Sequence, residues 1–96
     1  MGENEKNMNL EEVKIQYYEN GNTYSKYYFL NDKKHKENGP AIIWYYENGK
    51  IKNEFYYING KQHRENGPAV IYYHENGDIK KELFYLNGKI IKNEEK

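Results

Sequence analysis

The chain has no cysteine, only two prolines and no long apolar run. The lack of thiols excludes disulfide bridges and thiolate zinc sites. No segment approaches the roughly 18 apolar residues that a membrane helix needs, and the first dozen residues lack the apolar core of a signal peptide. We therefore expect a soluble cytoplasmic protein without a membrane partner.

Charge of one sign is also missing, because 15 lysine and arginine residues balance 15 aspartate and glutamate residues. A basic field for nucleic acid is therefore absent, which makes nucleic acid the less favoured partner. Arg64 is the single arginine. This lysine bias, with much asparagine, isoleucine and tyrosine, indicates an AT-rich bacterial or phage genome; a phage protein would act in the cytoplasm of its host.

Aliphatic residues are scarce, and the mean hydropathy is -1.27. Aromatic residues nevertheless make up 17% of the chain, with 12 tyrosines, which is too many for a disordered polymer. Burial must therefore come largely from tyrosine, whose ring packs while its hydroxyl stays hydrated. This composition suits a thin sheet better than a thick core.

A 28-residue block recurs along the chain. One copy reads AIIWYYENGKIKNEFYYINGKQHRENGP from Ala41, and the next begins AVIYYHENGDIKKELFYLNGK at Ala69. A fixed period of this length indicates units that bury their apolar surface against their neighbours. We divide the chain into a flexible polar arm (1–12), a repeat domain (13–92, with units at about 13–40, 41–68 and 69–92) and a charged tail (93–96).

Asparagine–glycine pairs separate the apolar runs, and such pairs are the strongest short-range signal for a two-residue hairpin. We predict one hairpin per unit at 20–21, 48–49 and 76–77, and a second turn at 31–32, 59–60 and 87–88. The expected main strands lie near 13–18, 23–30, 41–46, 51–58, 69–74 and 79–86, with short extended pieces near 33–36, 61–64 and 89–92. The predicted fold class is all-β, an elongated, twisted antiparallel β-meander of tandem hairpin repeats.

A two-residue turn fixes the register of its strands. Around the central turn it would pair Tyr46 with Ile51, Trp44 with Asn53 and Ile42 with Phe55. Four positions on the opposite face stay apolar in every unit, as a core stripe should, and begin with Ile15, Tyr17, Tyr28 and Leu30.

The Trp44 face varies between units, chiefly in the first strand, so it is the better candidate for contacts outside the repeat. Three interpretations remain open: a packed or dimeric face, a protein-binding surface, or a stacking surface for single-stranded RNA. The candidate partner-binding residues are Trp44, Tyr46, Phe55, Tyr57, Arg64, Tyr72, Lys81 and Tyr85.

Catalytic and metal sites are not expected. His35 and His63 hold equivalent places one period apart, so a repeat would keep them separate, whereas zinc needs three or four ligands; we interpret them as hydrogen-bonded near turns. Glu54 and Glu82 are also equivalent, and we expect Lys52 and Lys80 as their partners. No nucleophile motif or phosphate loop is present, so we predict neither enzymatic activity nor a cofactor.

The pattern Y-x-x-NG-x-x-x-x-E-x-x-Y-x-NG-K-x-H-R-x-x-G-P-A runs from Tyr45 to Ala69. It resembles the MORN-like repeat variants of YwqK-family antitoxin-type proteins from bacteria, phages and giant viruses. The resemblance implies an elongated β-meander that binds other macromolecules. Ile91 replaces the histidine in the last copy and Lys26 and Asp32 depart from the pattern in the first, as expected for units that cap an array.

These observations favour a non-enzymatic protein-binding module. Its most concrete form is a small intracellular inhibitor, antitoxin-like or an anti-CRISPR-like phage protein, that blocks a larger protein effector. The alternatives are a homo-oligomeric structural module, with a homodimer as its simplest form, and a weak binder of single-stranded RNA.

Overall fold

The computed structural model describes residues 9–96, which form an antiparallel all-β structure, as predicted. The ten strands are β1 (Glu11–Tyr17), β2 (Thr23–Leu30), β3 (Lys33–Lys34), β4 (Ile42–Tyr45), β5 (Ile51–Phe55), β6 (Tyr57–Ile58), β7 (Lys61–Gln62), β8 (Val70–Tyr73), β9 (Ile79–Leu86) and β10 (Lys89–Glu95). Residues 1–8 of the predicted arm lie outside the described residues. The arm was expected to reach residue 12, but β1 already begins at Glu11.

The strands follow one another across a single sheet in the order β1-β2-β4-β5-β8-β9-β10. The short strand β3 pairs with the end of β2, and β6 and β7 form a separate two-stranded sheet. Each unit therefore contributes one hairpin to the main sheet; the first two units add a short hairpin beside it, whereas β10 of the third unit joins the main sheet. The molecule measures 53 × 38 × 15 Å, and its thinnest dimension leaves room for one sheet with its side chains, since stacked sheets lie about 10 Å apart.

The second turn of each unit, which we call the side turn, has the predicted two-residue form. Asn59 and Gly60 have φ angles of 49° and 84°, and Asn87 and Gly88 have 50° and 84°. A type I′ turn requires positive φ at both positions, which asparagine and glycine tolerate best. The first unit makes the same turn with Asn31 and Asp32, at 51° and 67°.

The first turn of each unit, the main turn, differs from the prediction. At 48–49 only the glycine has a positive φ, of 93°, and the chain closes a three-residue loop: Tyr46 N–H donates to the Lys50 carbonyl at 2.8 Å and Gly49 N–H to the Tyr46 carbonyl at 3.0 Å. The Asn48 side chain accepts from Lys50 N–H at 2.8 Å, which favours the longer loop.

The longer loop adds a bulge that changes the register beside the turn. Tyr45, rather than Tyr46, lies opposite Ile51, so the predicted Tyr46–Ile51 pair is wrong. The pairs further along the hairpin, Trp44 with Asn53 and Ile42 with Phe55, are as predicted.

Few side chains are fully buried, as a single layer requires. The buried apolar residues are Ala41, Ile42, Ala69, Val70 and Ile71, and the buried polar residues are Ser25 and Asn53. The predicted core stripe was therefore partly wrong: Ile71 is buried, but its equivalent in the first unit, Ile15, is 41% exposed. β1 lies at the edge of the sheet, so Ile15 has a neighbouring strand on one side only.

The last strand closes the C-terminal side of the sheet. β10 leaves its side turn, passes a bulge at Ile91 and pairs with β9 as far as Glu95. Residues 93–95, which we expected in a charged tail, therefore lie in the sheet, opposite the part of β9 that a further unit would otherwise pair with. Their position agrees with a capping role for this atypical unit.

Gly49→Ala tests the main turn. A Cβ at Gly49 would have no contact closer than 3.9 Å, to the side chain of Asn22, so the cost is conformational. A left-handed φ costs a non-glycine residue about 1–2 kcal/mol, and we expect a loss of unfolding free energy of that size in urea denaturation. Glu47→Ala, in the same turn, serves as the control and should stay within about 0.5 kcal/mol of wild type. Equal effects of the two changes would contradict the turn geometry.

Candidate functional site

One face of the sheet carries a row of contacting aromatic rings, and we call it the aromatic face. The Trp44 and Phe55 rings meet edge to face with centroids 5.5 Å apart, and Phe55 meets Tyr72 in the same way at 6.4 Å. Trp44 Nε1–H donates to the Tyr27 hydroxyl at 3.1 Å. Edge-to-face pairs are favourable beyond their buried area, so these rings hold one another in place.

Small polar residues lie between these rings. Ser25 and Asn53 flank Trp44 in the strand register and are only 1% and 5% exposed. The indole itself remains 39% exposed. Trp44 thus covers its polar neighbours while part of its ring faces solvent.

A second set of predicted residues lies beside this row. Tyr57 and Tyr85 lie on the aromatic face near the side turns, and the Lys34 ammonium is 5.1 Å from the Tyr57 ring centroid. Burial, chiefly, raises the pKa of Tyr57, although its hydrogen bond with Gln62 lowers it. Lys81 lies opposite Tyr72, with its Nζ 3.4 Å from a carboxylate oxygen of Glu95. Six of the eight predicted residues therefore share this face.

The structure separates Tyr46 and Arg64 from the aromatic row. The Tyr46 hydroxyl donates to the Tyr73 carbonyl of the next unit at 2.6 Å, and its ring lies 5.7 Å from the Lys52 ammonium. The Arg64 guanidinium lies 4.1 Å from the Tyr56 ring centroid and donates to the Pro68 carbonyl at 3.1 Å. Because side chains alternate along a strand, Lys52 and Tyr56 belong to the opposite face.

We call that opposite side the loop face, because the loops between units fold over it. Two concavities lie there: one of about 680 Å³ contains Tyr56, His63 and Arg64, and one of about 500 Å³ contains the equivalent residues Tyr28 and His35. Their principal cations already have partners, as Lys36 Nζ lies 3.7 Å from the Tyr28 ring centroid and Arg64 is held as described above. We therefore place the candidate site on the aromatic face, although it is less concave.

The two repeat histidines are hydrogen-bonded at turns, as expected, and each bond also joins two consecutive units. His35 Nδ1 accepts from Asn59 N–H at 2.9 Å, and His63 Nδ1 accepts from Asn87 N–H at the same distance. An accepting Nδ1 places the ring proton on Nε2, which in His63 lies 3.7 Å from the Glu65 carboxylate. Each histidine thus binds the side turn of the following unit through one hydrogen bond.

The expected lysine partners of the repeat glutamates were wrong. Glu54 accepts from the Tyr73 hydroxyl at 2.6 Å, and a Glu82 oxygen lies 3.4 Å from Lys96 Nζ. Both partners reach across from neighbouring strands, whereas the prediction considered residues on the same strand. Burial, the Glu54 hydrogen bond and the charge of Glu54 together raise the pKa of Tyr73 above its ordinary value.

Tyr27 belongs to the aromatic row but was not among the predicted site residues. Tyr27 holds the Trp44 indole through its hydroxyl and lies opposite Ile42 in the register. The repeat contained the signal, since Tyr27 is one period before Phe55. The contact between Tyr27 and Trp44 depends on the pairing of β2 with β4. These strands belong to different units, so no turn within one unit predicts their register.

The fold defines the class of protein: a β-meander assembled from tandem repeats. Residues 42–59 and 69–87 match the family model described as the MORN repeat variant. The chain therefore contains two segments of the MORN repeat-variant type, as its resemblance suggested. No curated protein and no solved structure matches the chain.

Two further features concern the described residues alone. Between residues 9 and 96 the chain forms no long apolar helix of the kind that crosses a membrane. Within the same range, no three histidine, aspartate or glutamate side chains converge to hold a metal ion.

His63→Ala tests the contact between units. The change removes the acceptor for Asn87 N–H, and the loss of a hydrogen bond and its packing should cost about 1–2 kcal/mol of unfolding free energy. His74→Ala is the matched control, because His74 is an exposed histidine beside a main turn and should change stability by less than about 0.5 kcal/mol. Equal denaturation midpoints for the two variants would show that the histidine contact does not stabilise the array.

The raised pKa of Tyr73 predicts a loss of stability in alkali. The unfolded chain ionises its tyrosines near pH 10, while the folded protein keeps the Tyr73 proton to higher pH. The contribution of this residue is therefore complete below about pH 10 and disappears as the pH rises through the folded pKa. Above about pH 10, the unfolding free energy of wild type should fall more steeply with pH than that of Tyr73→Phe. Parallel declines for the two proteins would contradict the prediction.

Proposed function

We propose that this MORN-like repeat protein is a non-enzymatic binding module that inhibits a larger protein by covering part of its surface with the aromatic face. The observation that supports the proposal best is the edge-to-face row of Trp44, Phe55 and Tyr72. Tryptophan and tyrosine are the residues in which interface binding energy concentrates.

Rigidity supports this use of the face. The rings contact one another, and the hydroxyl of Tyr27 holds the indole, so binding would immobilise few additional rotamers. Association costs free energy for each side chain that must be ordered. A row already ordered in the free protein avoids part of that cost.

Charge favours a protein partner over a nucleic acid. The chain carries 15 basic and 15 acidic residues, and Lys81, next to Tyr72, already lies 3.4 Å from Glu95. Binding to nucleic acid depends chiefly on uncompensated cations that contact phosphates. We therefore propose a partner whose surface offers an apolar patch with a neutral polar rim.

Inhibition, as in antitoxin-like or anti-defence proteins, is the biological role that we propose for this contact. The chain has 96 residues and a sheet one layer thick, so it can cover a functional surface of a larger protein in the cytoplasm without supplying chemistry of its own. The MORN-type repeats support a binding module; the inhibitory role is our proposal.

Trp44→Ala combined with Tyr72→Ala tests the proposal. The partner would first be captured from an extract of the cognate cells, purified and titrated against each variant. The double variant should bind at least about 30-fold more weakly, the effect of losing one strong interface anchor, and should no longer inhibit the partner. Tyr24→Ala is the control, as it removes an exposed aromatic ring that lies outside the row.

Three results would contradict the proposal. The first is a double variant that unfolds, which would make the row a core element. The second is a folded double variant with unchanged affinity, which would place the interface elsewhere. The third is salt-sensitive binding of single-stranded RNA that the double variant loses, which would favour the nucleic-acid alternative.

A further inference from the structure

We propose that β1 is a self-association edge, along which two copies of this chain join their sheets antiparallel about a twofold axis at Val13. This surface is separate from the aromatic face, and the inference does not depend on the proposed function.

Among residues 9–96, no strand pairs with the outer side of β1, so its backbone has hydrogen-bonding groups available there. Leu10 accepts from Asn31 N–H at 2.9 Å and Tyr18 N–H donates to Asn22 at 2.8 Å, so both residues face the β2 hairpin. Because bonding direction alternates along an antiparallel strand, residues 12, 14 and 16 face β2 as well. The N–H and C=O groups of residues 11, 13 and 15 therefore point to the free edge.

Apolar side chains follow the same edge. Val13, Ile15 and Tyr17 are 54%, 41% and 63% exposed. In the third unit, where another strand lies on each side, the equivalent of Ile15 is Ile71, which is 6% exposed. The exposure of this row thus results from the missing neighbour of β1, and an added strand would reduce it.

The other edge of the sheet is better protected. β10 contains Lys89 and Lys92 and is interrupted by a bulge between Ile90 and Lys92. Its Lys92 Nζ lies 2.9 Å from a Glu94 oxygen. Lysines and bulges are the features that keep sheet edges from pairing. β1 has one lysine, and its irregularity lies between Gln16 and Tyr17, beyond residues 11–15, so β1 is the edge at which a further strand can be added.

The charge pattern of β1 fits a second copy of the same strand, and it determines the register in which the two strands pair. Glu12 and Lys14 are exposed and lie on one face, where Lys14 Nζ is 5.3 Å from the Phe29 ring centroid and Glu12 is opposite Phe29. With the axis at Val13, each Glu12 lies opposite Lys14 of the other copy. An axis at Lys14 would place the two lysines opposite each other, and like charges at such positions are unfavourable.

In this register Val13 lies opposite Val13 of the second copy. Ile15 lies diagonal to that Val13 and directly opposite Glu11, so the apolar contact is centred on the two Val13 side chains. Residues 11, 13 and 15, whose backbone groups are free, face one another across the axis and can form the hydrogen-bonded pairs of an antiparallel ladder.

Exchanging the charges at residues 12 and 14 tests whether the chain dimerises through β1. The full chain would be studied by light scattering after size exclusion and by sedimentation at about 100 µM, a concentration suited to weak association. Wild type should be a dimer. Glu12→Lys and Lys14→Glu should each weaken it about tenfold or more, since both turn two attractive pairs into repulsive ones. The double variant, and an equimolar mixture of the two single variants, should associate as wild type does, because opposite charges again face each other.

Two further variants distinguish the edge from other surfaces. Val13→Pro removes an outward N–H and should abolish the dimer while β1 stays paired with β2, since proline is tolerated at a sheet edge. Trp44→Ala with Tyr72→Ala should leave the dimer intact. A monomeric wild type would overturn the inference. So would a dimer whose dissociation constant does not change when the charge at residue 12 or 14 is reversed. Unchanged circular dichroism of each charge variant confirms that it is folded.

Discussion

The structure depends on the hydrogen bonds by which the side turns of the second and third units are held to the unit before them. Asn59 N–H bonds to the ring of His35 while Gly60 N–H bonds to the Lys34 carbonyl at 2.8 Å. The third unit repeats the arrangement at Asn87 and Gly88. A single-layer sheet has little interior to stabilise it, so contacts between neighbours must supply most of what a core supplies elsewhere.

These bonds explain why the side-turn residues and the histidine recur at the same positions of the 28-residue period. The type I′ geometry presents two successive N–H groups of the side turn to the preceding unit, and the histidine supplies one of the acceptors. Main turns are joined differently, by hydroxyls that reach a backbone carbonyl in the next unit: Tyr18 donates to Tyr45 and Tyr46 to Tyr73, both at 2.6 Å. Neighbouring units are thus hydrogen-bonded to each other at both ends of their strands. The aromatic face of the sheet between these two ends is not covered by the loops.

Much of the fold followed from the sequence because turn chemistry and strand alternation are local. The side turns and the pairs Trp44–Asn53 and Ile42–Phe55 depend on neighbouring residues, and the structure has them as predicted. The main turns were mispredicted because the asparagine side chain competes as an acceptor, and asparagine–glycine alone does not indicate which turn forms. Strand boundaries near the ends also shifted, since β10 extends through residues expected in a tail.

The candidate site was predictable only in part. Alternation places Trp44, Phe55 and Tyr72 on one face, and the structure brings their rings into contact. Tyr27 joins them through pairing between units, while Arg64 folds over the opposite face onto Tyr56; neither position can be derived from the spacing within one unit. The loop that carries Arg64 is irregular, and strand alternation gives no direction for its side chains.

Amide hydrogen exchange measured by nuclear magnetic resonance tests the central claim most directly. Gly49 and Gly60 are both exposed turn residues, but Gly49 N–H bonds within its own turn, whereas Gly60 N–H bonds to the preceding unit. If contacts between units stabilise the array, the Gly60 and Asn59 amides should exchange as slowly as that of Asn53 in the central strand, and the Gly49 amide much faster. Equal, rapid exchange of Gly49 and Gly60 would contradict the account.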